Sequence, residues 1–180
     1  MRQAAAWEGR LLDELERSSR AGAAAARFVR ESSIQLAAHD QPTGARWTLG
    51  RKIELHPRYV RGRVKGPYAL SLVVHEVQHV KQGPLTALSV FGELEAWQVQ
   101  FNYLMGLKGR KANVPGRTNL IDELLALQLG WDRSILSRAR RLMREYAGNR
   151  YRIDLLPLYP LHHEILHAIC RRAPRQLTEL

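Results

Sequence analysis

Two five-residue stretches, HEVQH at 75–79 and HEILH at 163–167, each set two histidines four positions apart with a glutamate after the first. Four residues is slightly more than one helical turn, so on a helix both imidazoles leave from one face and can offer two nitrogens to a single ion. The glutamate is turned away by one position, close enough to touch a water on such an ion without ligating it. At this chain's own His and Glu frequencies, about 0.02 such patterns are expected by chance, so each copy is informative and its surroundings must decide its worth.

Around the first copy, Leu70, Leu72, Val73 and Val74 precede the motif, and Val77 and Val80 follow within it and after it. The helix they predict starts near Pro67, stops at Gly83 and Pro84, and is buried. Two histidines and a glutamate in such a helix would need other partners if no ion were bound. A catalytic zinc site takes three protein ligands and keeps one position open. The next helix, expected from about Thr86 to Leu107, supplies two acids. Glu93 is the first choice as third ligand; Glu95, two residues on, points elsewhere and is the second choice, or a carboxylate that orients a histidine ring. Gly92 and Ala96 are small enough to let this segment pack close to the motif helix. In the second copy Pro160 starts the helix, which puts His163 in an exposed first turn, and only 13 residues follow His167. Of these, Glu179 is a poor ligand candidate, and His163, His167 and Cys170 share a face fit for an adventitious soft metal at most. A structural or solvent-facing role is expected there.

The elements that must position these residues read as follows. Residues 3 to 30 are helical, interrupted at Gly22. Residues 32 to 60 hold a ribbon of two or three short strands, with turn chemistry in DQPTG (40–44) and a strand in RKIEL (51–55). After the two motif-region helices, 108 to 119 is a loop; helices follow near 119–129 and 133–147, the latter capped by Asp132, and a short one closes the chain after Pro160. A single domain over 1–180 is expected, with an N-terminal helical segment (1–32), a ribbon and metal-binding helices (33–107) and C-terminal helices (108–180).

The order RKIELHP, HEVQH, glycine turn, ELEAW (93–97) resembles the glutamate-liganded zincin metallopeptidases, in which HExxH is followed on a later helix by an ExxA pattern whose glutamate completes the zinc site. The resemblance covers residues 51 to about 104 and rests on His75, Glu76, His79, Glu93 and Ala96. It implies an α+β fold, mostly α: a zincin-like helical domain with a small antiparallel β ribbon before the HExxH helix. It also implies Zn²⁺ on His75, His79 and Glu93, a zinc-bound water activated by Glu76, and a peptide or protein substrate strand lying antiparallel beside RKIEL. Trp97 stands where many such families place an aspartate, and Lys81 where they keep an apolar residue. Tyr68, Tyr103 and Tyr146 are candidates for stabilising an oxyanion, though tyrosines at helical spacing serve cores more often. His56 reads as a strand-end residue.

One cysteine excludes an internal disulfide framework, and no apolar run is long enough to span a bilayer, so no membrane association and a cytoplasmic location are expected. The net charge of +11 admits a second class of function, a basic helical nucleic-acid-binding protein working through the arginines of 133–152. Because Ile135, Leu136, Ala139, Leu142, Met143 and Tyr146 recur there at helical spacing, those arginines are more simply a solvated face. A zincin fold retained as a binding module without catalysis is the remaining alternative.

Overall fold

Alanine-rich sequence makes two antiparallel-packed helices at the N-terminus, α1 (Arg2–Ser18) and α2 (Arg20–Glu31). The break falls at Ser19, not at Gly22: Ser19 is extended and its hydroxyl caps α2 by accepting from the Gly22 N–H at 3.0 Å. Gly22 has a different task. A Cβ there would stand 2.3 Å from the Leu15 carbonyl oxygen, so the glycine lets the two helices turn tightly on each other. The structure, a computed structural model, describes residues 2–49, 51–60, 66–108, 118–148 and 151–172. Most of the loop expected at 108–119 lies outside the described residues, as does Glu179.

Three short strands follow: β1 (Gln35–Ala38), β2 (Ala45–Thr48) and β3 (Lys52–Leu55). The ribbon is mixed, not antiparallel. In the order β1-β3-β2, β1 pairs parallel to β3 (Gln35 with Lys52 through Ala38 with Leu55), and β2 pairs antiparallel to it (Ala45 with Leu55 through Thr48 with Lys52). Residues 39–44 do not close a hairpin because their hydrogen bonds go to the end of β3: His39 N–H to the Leu55 carbonyl, the Gln41 side-chain amide to the Glu54 carbonyl, and the Gly44 carbonyl to the His56 N–H. The chain is thereby carried across β3 and β2 is laid on its far side. Glu54, buried, pairs across the sheet with Arg46 at 2.6 Å and along it with Lys52 at 2.7 Å, and these cations hold its carboxyl below the usual range.

A 3-10 turn (Pro57–Tyr59) leads towards the motif helix α3 (Gly66–Gln82), which ends, as its sequence indicates, where Gly83 takes a positive φ of 72°. The next long helix starts later than its composition suggests. A separate turn, α4 (Pro84–Ala87), comes first, and α5 (Val90–Lys108) begins after Ser89, whose hydroxyl accepts from the Gly92 N–H and donates to the Thr86 carbonyl. Then come α6 (Thr118–Ala126), α7 (Arg133–Ala147), a 3-10 turn (Ile153–Leu155) and α8 (Leu161–Arg172). α6 stops three residues short of expectation, and the Gln98 amide takes up the carbonyls of Leu124 and Leu127 at its end. Asp132 caps α7 through the N–H groups of Ser134 and Ile135.

The buried side chains form two clusters. One joins α1, α2, the sheet and α3; the other joins α5, α6, α7 and the 3-10 turn. α3 and α5 pack along each other, so the motif helix of the first cluster meets the acid-bearing helix of the second at the seam. Among the described residues no helix is long and apolar enough to cross a membrane.

Candidate metal centre

Burial of α3 on both sides leaves His75 and His79 facing α5 with nowhere to project but the seam. Their Nε2 atoms stand 3.0 Å apart. Glu93, in the first turn of α5, closes the triangle: its carboxylate oxygens lie 3.7 Å from His75 Nε2 and 3.5 Å from His79 Nε2. One ligand atom from each residue falls within 4.8 Å of the others, and among the described residues this is the one group of His, Cys, Asp or Glu that could hold a metal ion. Ala96, one turn after Glu93 and fully buried, keeps the interface close, as its size suggests. Gly92 serves another contact. A Cβ there would stand 2.2 Å from the Thr86 carbonyl oxygen, so this glycine admits the α4 backbone.

Glu95 stands outside this triangle. Its carboxylate accepts from the Gln82 amide at 2.8 Å, and the Gln82 oxygen faces His79 Nδ1 at 3.1 Å. Because the Gln82 nitrogen also donates to the Gly92 carbonyl, its oxygen must be the acceptor for the ring, so Nδ1 carries a hydrogen and Nε2 is the nitrogen that faces the seam. Glu95 therefore bears on a histidine ring, the other role its sequence position suggested, but through Gln82, an intermediary not visible in the sequence.

Sequence reasoning missed Tyr151. Its hydroxyl donates to Glu93 Oε2 and accepts from Trp97 Nε1 at 2.8 Å. No periodic pattern surrounds it in GNRYRID, and no local signal could have chosen it. What delivers it is the docking of the C-terminal segment on α5, where the first-turn N–H groups of Val90 and Phe91 donate to the carbonyls of Pro157 and Leu158. Of the tyrosines singled out from sequence, Tyr68 and Tyr146 line the cleft beside the site, whereas Tyr103 bonds Ser18 at 2.7 Å away from it. His56 caps the 3-10 turn by accepting from the Arg58 N–H.

The cleft measures about 370 Å³ and opens over His75 and Glu76, between the Pro42–Ala45 stretch on one wall and Tyr68, Leu72, Trp97, Phe101, Tyr146 and Tyr151 on the others. Since both edges of β3 are occupied, a substrate strand cannot pair with RKIEL. The edge that remains on this side of the sheet belongs to β2, whose entry residues Gly44 and Ala45 reach the cleft.

Burial dominates the electrostatics. It pushes the Glu76 carboxyl up to about 7, helped by Glu93 and opposed by His79 and the Trp47 backbone. Burial, with the charge of His79, pulls His75 down to about 3. The Glu93 charge, then the Gln100 side chain and the Ala96 backbone, act in the other direction on His75, though its Nδ1 has no well-formed hydrogen bond. His79 is pulled down by burial too, but the Glu93 carboxylate outweighs this and raises it to about 9. Glu93 is raised by burial and lowered more by His79, ending below the usual carboxylate range. Tyr151 is driven well above its ordinary value by burial and by Glu93. Together these influences favour a neutral His75 beside a His79–Glu93 ion pair.

In the second motif, His163 stacks on Trp131 with ring centres 4.6 Å apart, and Phe91 stacks on Trp131 at 4.8 Å. His163 is thus a packing residue in an aromatic pile; the side chains of His167 and Cys170 lie outside the described residues.

No family model, curated protein or solved structure matches this chain.

Proposed function

We propose that this chain is a zinc-dependent hydrolase, a metallopeptidase that holds Zn²⁺ on His75, His79 and Glu93. The carrying observation is the convergence of those three side chains from two helices, with Glu76 beside them at the base of a cleft. Two ligands at about 2.0–2.1 Å from a tetrahedral ion lie roughly 3.3 Å apart. The separations of 3.0, 3.5 and 3.7 Å in the seam bracket that value. Two imidazoles and one carboxylate are a borderline donor set of the kind zinc takes, and His79 already has its Nδ1 occupied.

Such an ion would supply Lewis acidity, bringing a water's pKa towards neutrality and polarising a carbonyl. The chain's own residues do the rest. Glu76 can accept a proton from the attacking water and return it to the leaving amine, since its carboxyl is poised near neutral pH. A peptide would lie along the outer edge of β2, beside Gly44 and Ala45, with its side chain in the aromatic cleft. Purified protein should carry about one zinc per chain, lost in His79→Ala and kept in His163→Ala. Glu76→Gln should keep the metal and abolish peptide hydrolysis. Metal that follows His163 instead would end the proposal.

Nucleic-acid binding has less to support it. The arginine groove on α7, lined by Arg140, Arg141 and Arg144, is partly consumed internally: Arg140 donates to the Leu156 carbonyl, Arg144 pairs with Asp154 at 3.4 Å, and nearby Arg138 pairs with Glu123.

A further inference from the structure

The three candidate ligands are not equally supported. His79 is held through Nδ1 by Gln82, and Gln82 by Glu95. His75 has a buried Nδ1 with no hydrogen-bond partner. Glu93 is held by Tyr151, and Tyr151 by Trp97. Indole N–H groups only donate, so Trp97 occupies a lone pair of the phenol and obliges its single hydrogen to point at Glu93. That hydrogen claims Oε2, so that Oε1, 3.5 Å from His79 Nε2, is the oxygen that meets this histidine across the seam. An unconstrained carboxylate on a helix's first turn could rotate to present both oxygens or neither.

We propose that Tyr151, fixed by Trp97, is a positioning residue that sets the angle of Glu93 so that it offers one oxygen to the ion and leaves a coordination position open. This deepens the metal reading above and rests on it. The device ties the site to the last third of the chain. Gly148, at a φ of 78°, ends α7, the Tyr151 N–H returns to the Gly148 carbonyl, and the following residues dock on the first turn of α5. Two helices bring the ligands, and a remote segment orients the carboxylate.

A bland alternative is that Tyr151 merely satisfies its own buried hydroxyl. The two differ in what happens at the metal when that oxygen is removed. The test compares wild type, Tyr151→Phe and Tyr103→Phe, the last a control that deletes a tyrosine hydroxyl bonded to Ser18 outside the seam. Zinc affinity is read by competition with a chromophoric chelator, and the visible absorption bands of the Co²⁺-loaded proteins report ligand geometry. Tyr151→Phe should bind zinc about 10- to 100-fold more weakly and alter the cobalt bands, with Tyr103→Phe matching wild type in both. A Tyr151→Phe affinity within twofold of wild type, or unchanged cobalt bands, overturns the proposal, and so does an equal loss in Tyr103→Phe. Should wild type bind neither ion, the metal reading itself falls; should wild type bind and Tyr151→Phe behave like it, only the positioning role does.

Discussion

A metal ion entering this seam would have to displace a proton, and the electrostatics point to the one on His79. His79 is raised to about 9, and Glu76 to about 7, while His75 is lowered to about 3. At pH 8 His75 is therefore already neutral, Glu76 already ionised, and His79 still protonated. The ion needs neutral imidazoles, so His79 has to give up its proton, and affinity should rise with pH until it passes about 9. At pH 8, close to one proton should be released per ion bound, and binding should be markedly weaker at pH 7 than above pH 9, where His79 is neutral. Isothermal titration of metal-free protein with Zn²⁺ at pH 8, in buffers of different ionisation enthalpy, counts the protons directly. Glu93→Gln provides the internal check. Removing the carboxylate that keeps His79 charged should lower the proton count at pH 8 towards zero even as the variant binds more weakly. Zinc binding to wild type with no proton release at pH 8 would refute the reasoning, because it would mean that the His79–Glu93 ion pair does not exist in the metal-free protein.

Two further outcomes test the frame around the site. Glu54→Gln leaves Arg46 and Lys52 without their shared buried partner, and since both cations are partly exposed the loss should be about 2 kcal/mol, between the values for exposed and buried pairs. Glu54's pKa is lowered by folding, so this contribution is present above the unfolded carboxylate pKa and fades as pH falls through the folded one. Urea unfolding at pH 7 and pH 3 should therefore separate wild type from variant more widely at the higher pH. Gly92→Ala places a Cβ against the Thr86 backbone, 2.2 Å from its carbonyl oxygen, and should cost about 1–3 kcal/mol of stability. Because Glu93 is the next residue, weaker zinc retention should accompany the lower melting temperature.

Much of the helical frame was legible because helix signals are local. Gly83 and Pro84 mark the end of α3, Asp132 the start of α7 and Pro160 the start of α8, and each acts through hydrogen bonds or dihedral limits within a few residues. The ribbon was half legible. Alternation and turn residues announced its strands, but pairing depends on where 39–44 spends its hydrogen bonds, and those go to β3. Gly22 and Gly92 show the same limit: smallness was visible, while the carbonyl each one admits was not.

What the amino-acid sequence by itself determined is the pair His75 and His79 on one face of an apolar helix, because a period of 3.6 residues and a run of valines and leucines are properties of the local chain. It narrowed the third acid to two residues on the next helix. Tertiary structure alone decided between them, sending Glu93 to the histidines and Glu95 to Gln82, and brought Tyr151 to the carboxylate from 58 residues away. Direction of a side chain across a helix interface depends on how two helices pack, and a contact closed over such a separation leaves no mark on the residues beside it.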